Sequence, residues 1–147
     1  MDTMRMESGF LHWGHDISPE ENQYQSGLSF TISYKKNYDF IGKKNLLRIR
    51  DDKIDRKFAM FVLTNSQPGN PLLLQEEPIY LEDKIIGKTT SGNYSFNFNK
   101  NLSFGYIKSS LSNEELSKKK LYIEIEKKKY PAEILQKPLK QSNFKSI

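Results

Sequence analysis

Cysteine is absent from this sequence. That excludes disulfides, thiolate metal sites and a cysteine nucleophile together. No apolar run approaches the roughly 20 residues that a membrane-spanning helix needs, so no membrane partner is expected. Residues 1–10 lack the basic start and apolar stretch of a signal peptide; a cytoplasmic location is the default expectation. Hydrophobic residues are few, at 36%, which implies a wet surface. Aromatics are not scarce: nine Phe, eight Tyr and one Trp make up 12% of the chain, and that argues against disorder. A length of 147 residues fits one domain, or one domain with a short piece of another.

The net charge is +5. The excess sits in lysine-rich runs at 118–120 and 127–129, which read as solvated strand ends and turns. Nucleic acid is therefore not an expected partner. A positive field that attracts an anionic ligand is the milder reading.

Residues 1–27 do not read like the start of a domain. Met4, Met6, Phe10, Leu11 and Trp13 crowd apolar surface into the opening segment, where a frayed and polar stretch is usual. The expectation is a segment that packs against something upstream. Ser18, Pro19 and Glu21 then carry a helix-start signal, with the serine as cap and the glutamate three residues later; Gly27 keeps the turn short. Residues 28–34 alternate apolar and polar side chains, which predicts a half-buried strand. Leu46, Leu47 and Ile49 form the apolar part of a short basic helix over 43–50, ended by Asp51, Asp52 and Lys53.

From Arg56 onward a period of two dominates. Strands are predicted over 57–64, 78–81, 84–90, 101–108, 121–126 and 130–135, with a hairpin turn at Glu82-Asp83 and another at 127–129. Six or so short strands at regular spacing predict a small antiparallel barrel or sandwich. The fold class is mainly β within α+β. The expected division is 1–55 as a segment of a different body with a linking helix, 56–140 as the barrel, and 141–147 as a tail.

The densest chemistry lies in Asp2-Thr3-Met4-Arg5-Met6-Glu7, followed by Phe10-Leu11-His12-Trp13-Gly14-His15-Asp16. Arg5 offers a forked donor to a carboxylate. Trp13 either stacks on a flat ring or joins the core, and the core is the commoner fate of a lone Trp beside apolar neighbours. His12 and His15 are three apart, but no carboxylate cluster at metal spacing supports a zinc pair, so no metal is expected. His15 and Asp16 read as fixing this loop by hydrogen bonds or as donating to substrate. Thr89 to Tyr94 reads as a hairpin loop with hydroxyls; it lacks the lysine of a phosphate loop. No nucleophile–base pair is recognisable, so no catalytic residue is assigned.

The opening run, then Asp39-Phe40-Ile41-Gly42-Lys43, Glu77-Pro78-Ile79-Tyr80, Gly87-Lys88-Thr89-Thr90-Ser91-Gly92, Phe104-Gly105-Tyr106-Ile107 and Tyr130-Pro131-Ala132 resemble, in that order, the C-terminal part of the glycine-cleavage T-protein (aminomethyltransferase) family. The His-Trp-Gly-His-Asp wording is nearest to the folate module of dimethylglycine and sarcosine dehydrogenases. The resemblance implies the end of an α+β folate-binding domain followed by a C-terminal β-barrel. It implies transfer of a one-carbon unit from dimethylglycine, sarcosine or a glycine-derived aminomethyl group to tetrahydrofolate. Tetrahydrofolate is the implied cofactor, with FAD only if the chain belongs to a larger dehydrogenase. Arg5, Glu7, Trp13 and His15 are the implied folate-binding or pocket-bracing residues. The family's key acid lies upstream of everything present here, so the segment is expected to be inactive alone. Its implied partner is an N-terminal folate-binding, and in the dehydrogenases also FAD-binding, domain or subunit. The position near the C-terminus where some relatives carry a tyrosine is Phe144, which takes no role. The rival reading is a non-catalytic packing module with residues 1–27 as a docking arm. A nucleic-acid-binding barrel ranks last, because the strand aromatics sit among apolar neighbours.

Overall fold

The computed structural model of the protein describes residues 2–36, 38–52 and 54–140. The tail at 141–147, with Phe144, and the helix-ending Lys53 lie outside the described residues. Six strands form one closed antiparallel barrel: β1 (Arg56–Leu63), β2 (Pro78–Leu81), β3 (Lys84–Ser95), β4 (Lys100–Lys108), β5 (Leu121–Ile125) and β6 (Lys128–Leu135), in the order β1-β4-β3-β2-β5-β6. Closure pairs every strand on both sides and leaves no edge to template association. Among the described residues three short α-helices accompany it: α1 (Asp2–Glu7), α2 (Lys43–Asp51) and α3 (Asn113–Lys118).

The alternation of side chains in β1 and β4 sorts the core into two layers. Phe61 pairs with Ser103, Ala59 with Gly105 and Lys57 with Ile107. This face looks into the barrel, where Phe61, Leu63, Ile79, Ile107 and Ile123 are buried together and Leu116 of α3 joins the cluster. The other face carries Phe58, Met60, Val62, Leu102 and Phe104. Met6 of α1 packs on this outer face, with Leu135 and Leu139 beside it. That cover explains why β4 is buried without a break from Asn101 to Ile107.

Glycines set the closeness of β3 and β4. A Cβ on Gly87 would stand 1.9 Å from the Tyr106 carbonyl oxygen, and one on Gly105 2.4 Å from that of Lys88. The register shifts between Thr89 and Ser91, a bulge that re-aims the side chains beyond it.

The structure corrects several expectations. Residues 28–34 form no strand; only a 3₁₀ turn, Ser29–Thr31, appears there, and Phe30 is exposed. The alternation is real, but a strand needs a ladder partner, and all six barrel strands are already paired. The helix-start signal at Ser18 gives a single turn. The Ser18 N–H (2.8 Å) and hydroxyl (2.7 Å) both donate to the Glu21 carboxylate, while the Glu21 N–H donates to the Ser18 carbonyl and not to its hydroxyl, so the reciprocal box does not close. The run from Thr89 to Tyr94 is strand, not loop, because β3 continues through it to Ser95. The β5–β6 turn falls on Glu126 and Lys127, both in left-handed conformation, so Lys128 and Lys129 belong to β6. Two helices went unforeseen. For α3 the signal was legible: Ser112 and Glu115 make a reciprocal capping box, the pattern of serine followed three residues on by glutamate.

Because Gly87 meets backbone rather than a yielding side chain, Gly87→Ala should force β3 from β4 and destabilise the barrel by about 1–3 kcal/mol. A urea-unfolding midpoint indistinguishable from that of the unaltered chain would contradict this packing.

Candidate functional site

The polar chemistry of the chain gathers where residues 2–21 cross β3 and β4. Asp16 is the centre. Its carboxylate is fully buried and accepts three bonds, from Arg5 Nη1 at 2.6 Å, the His12 N–H at 2.9 Å and the Thr90 hydroxyl at 2.6 Å. The Tyr106 hydroxyl donates to its backbone oxygen at 2.9 Å. Burial, reinforced by Glu21 and Asp16 against the opposing Arg56, pushes the Tyr106 phenol well above its ordinary range; it stays a donor.

Arg5 is almost wholly engaged inside the chain. Nε donates to Asp2 at 2.9 Å, Nη1 also to the Phe10 carbonyl at 3.2 Å, and Nη2 to the Ser91 hydroxyl at 3.0 Å. Glu7 is 1% exposed. One of its oxygens accepts from the Ser95 hydroxyl at 2.5 Å and the other from the Asn97 amide at 2.8 Å. Arg5 and Glu7 thus brace the arm against β3 and the turn after it, from opposite sides of α1.

Above this base, residues 12–17 form a tight loop. The His15 and Asp16 N–H groups donate to the His12 carbonyl and Gly14 N–H to the Ile17 carbonyl; Gly14 at φ 89° permits the turn. The His12 and His15 rings stack, centroids 4.6 Å apart, and His15 Nδ1 lies 3.4 Å from the Gln75 side-chain oxygen. Trp13 is 64% exposed, so its expected place in the core is corrected. The loop is drawn so tight by Asp16 that its middle residue has no interior to enter. Of the four residues singled out from the sequence, the structure therefore presents Trp13 and His15 outward and holds Arg5 and Glu7 inward.

Two clefts flank the loop. One, of about 440 Å³, is lined by Asp2, Arg5, His12, His15, Leu74 and Ser91 among others. The second, of about 530 Å³, lies between His15, Glu21, Arg56, Lys88 and Tyr106. There Arg56 Nη2 pairs with Glu21 at 3.0 Å, and the guanidinium lies 5.5 Å over the Tyr106 ring. The buried Arg56 Nε has no hydrogen-bond acceptor. A larger groove of about 630 Å³ runs between α3 and β5–β6 and is remote from this chemistry. No group of three or more metal-ligating side chains occurs among the described residues. No helix among them is long and apolar enough to cross a membrane.

Sequence reasoning placed Asp16 in this loop but missed Thr90, Ser91, Ser95, Asn97 and Tyr106. Their partners lie 74 to 90 residues away, so no local pattern pointed to them.

Residues 56–140 match the family model described as the glycine cleavage T-protein C-terminal barrel domain. The chain belongs to that family. Over most of its length this T-protein-type chain is similar to human mitochondrial dimethylglycine dehydrogenase, at 33% identity over 142 residues, or 95% of this chain and 15% of that protein. It is 32% identical to the aminomethyltransferase of Listeria welshimeri over 137 residues, 93% of this chain and 36% of that one. The chain thus spans well under half the length of these relatives. Its fold matches the glycine cleavage system aminomethyltransferase T of Bartonella henselae with a TM-score of 0.77, at 20% identity, over 94% of this chain and 37% of that one.

Two tests address the site. Asp16→Asn removes the charge that faces Arg5 and is expected to cost about 3 kcal/mol in chemical unfolding, with faster amide exchange through residues 12–17. Glu7 supplies a pH dependence. Burial pushes its carboxyl up, but the Ser95 and Asn97 bonds and nearby Lys140 outweigh this and hold it below the ordinary 4.5. The ionised form is thus favoured by folding, so its contribution is complete above that value and is lost as pH falls through the depressed one. Glu7→Gln should flatten this acid limb of the stability profile; an unchanged limb would show that other groups set it.

Proposed function

We propose that the chain is the C-terminal part of a folate-dependent one-carbon enzyme of the aminomethyltransferase and demethylating-dehydrogenase type. In this reading the one-carbon unit passes from dimethylglycine, sarcosine or a glycine-derived aminomethyl group to tetrahydrofolate. The observation that carries it is the family match over 56–140, joined to relatives whose names are dimethylglycine dehydrogenase and aminomethyltransferase and whose similarity extends through the arm. The chain supplies the barrel and one braced edge of the ligand site. Trp13 and His15 are the groups placed to meet the ligand. Arg5 and Glu7 act as braces, since their bonds are taken within the chain.

The reaction itself needs more than this chain offers. No acid–base or nucleophilic pair is assigned to it, and the remaining body of the enzyme supplies the proton chemistry. An N-terminal folate-binding domain or subunit is the proposed partner, with FAD entering only through a dehydrogenase of the larger kind. Residues 1–55 are assigned to the end of the folate-binding domain with a linker helix, 56–140 to the barrel and 141–147 to a tail. Cytoplasmic residence remains the default assignment, while the mammalian relatives are named as mitochondrial.

The fit of tetrahydrofolate to these residues is partial. An exposed indole offers a stacking face and His15 a ring nitrogen, but the Arg5 fork expected to grip a carboxylate is already bonded to Asp2, Asp16 and Ser91. Titration of the purified chain with tetrahydrofolate should accordingly show no saturable binding at micromolar concentrations. Micromolar affinity for the chain alone would overturn the claim that most of the pocket is supplied by the partner.

A further inference from the structure

The barrel has a second outer face, across from the arm. In the closed order β2 and β5 stand opposite β1 and β4, whose outside α1 covers. Strand register lays four side chains in one row over this far face. Pro131 of β6 lies beside Tyr122 of β5, Tyr122 beside Tyr80 of β2, and Tyr80 beside Ile85 of β3. Pro131 and Ile85 are exposed and the two tyrosines are half-buried. An apolar and aromatic row at the centre of a sheet face, rimmed by charge, has the anatomy of an interaction surface.

The rims narrow the choice of partner. On one side of the row Lys129 stands beside Glu124. On the other side, one step beyond Tyr122 and Pro131, alternation puts Lys120 and Glu133 on the same outward face. From rim to rim β6 therefore reads lysine, proline, glutamate, and β5 reads glutamate, tyrosine, lysine. Each charge on one rim has the opposite sign to its counterpart across the row. The first rim is held in place: Lys129 Nζ lies 4.3 Å from the centre of the Tyr80 ring and 3.4 Å from Asp83, and the Tyr80 hydroxyl bonds to Glu124. With acids and lysines interleaved, the face offers no continuous positive track to a polyanion.

That pattern is complementary to itself. A second copy turned about a two-fold axis along the row, and set face to face, brings Lys129 of each copy to Glu133 of the other. It likewise brings Glu124 to Lys120, while the tyrosines and their neighbours close the centre. Such two-fold contacts, made by the same patch on both copies, are the commonest way in which identical chains associate. We propose that the outer face of β6, β5, β2 and β3 is a two-fold interface between copies of this chain, centred on Tyr80 and Tyr122. Four strands about 4.8 Å apart span only about 15–20 Å. The contact is thus at the small end of specific interfaces, and the dimer is a reversible one. The interface is independent of the proposed function.

Sedimentation of the purified chain should show its mass rising from monomer toward dimer between about 1 μM and 1 mM. Lys120→Glu sets like charges against each other and should weaken self-association at least about tenfold; Glu124→Lys should do the same. An equimolar mixture of these two variants should regain the affinity of the unaltered chain, because opposite charges meet again at both contacts. The bond between Tyr80 and Glu124 stays broken in the mixture, so recovery reports the interface and not the fold. Should either variant fail to fold, Lys129→Glu mixed with Glu133→Lys makes the same crossed test at the other pair. Tyr122→Asp should abolish association outright. A chain that stays monomeric to about 1 mM would overturn the inference, as would a mixture that associates no better than its parts. The face has one other candidate occupant, the rest of a larger enzyme. Slowed hydrogen exchange at Tyr80 and Tyr122 found only when the chain replaces the matching segment of the Listeria welshimeri aminomethyltransferase would assign the face to that body instead.

Discussion

A carboxylate withdrawn from water carries a desolvation penalty of several kcal/mol unless its partners are well placed, and at Asp16 they come from three separate parts of the chain. Arg5 arrives from α1, His12 contributes a main-chain N–H from the same loop, and Thr90 reaches across from β3. Tyr106 on β4 secures the adjoining carbonyl. Each donor is itself fixed by other contacts, so the carboxylate ties arm, loop and barrel into one body. Without it, the attachment of the arm would rest on Met6 in the outer core and the Glu7 bonds to Ser95 and Asn97.

The division of labour within the arm follows from that constraint. Arg5 and Glu7 have the charge a ligand would seek, yet their hydrogen-bonding capacity is directed inward. Trp13 and the stacked histidines have little to hold them except the loop backbone, and the loop is rigid because Asp16 draws it shut. A rigid loop that exposes an indole and two imidazoles is suited to recognition. The barrel gains something in return: α1 seals the outer face of β1 and β4, which would otherwise leave Val62, Leu102 and Phe104 uncovered.

The barrel's order was not dictated by any one strand. β1 pairs with β4 and β6, and β5 with β2 and β6, so β1 and β2, like β4 and β5, follow each other in sequence without pairing. Gly87 and Gly105 allow β3 and β4 to close together at the point where a side chain would strike backbone. The bulge between Thr89 and Ser91 then turns Thr90 toward Asp16 and Ser91 toward Arg5. The site is thereby linked to the same irregularity that helps the barrel close.

The six barrel strands and the basic helix were legible because their apolar positions recur with the period of each element, a property of short runs of sequence. The family was legible because several short motifs fall in order along the chain. Periodicity failed at residues 28–34: alternation describes which side chains can share a face, but not whether a partner strand exists. It failed at Trp13 for the opposite reason, since a residue's apolar nature does not place it inside when the loop that carries it is held shut beneath. The bracing of Arg5, Glu7 and Asp16 depended on hydroxyls and amides that lie 74 to 90 residues further along. Sequence alone determined the barrel strands, the basic helix and the kinship. Only the tertiary structure decided which charged groups face inward and which aromatic group faces out, because the donors that satisfy a buried charge are brought together by the barrel and not by the chain.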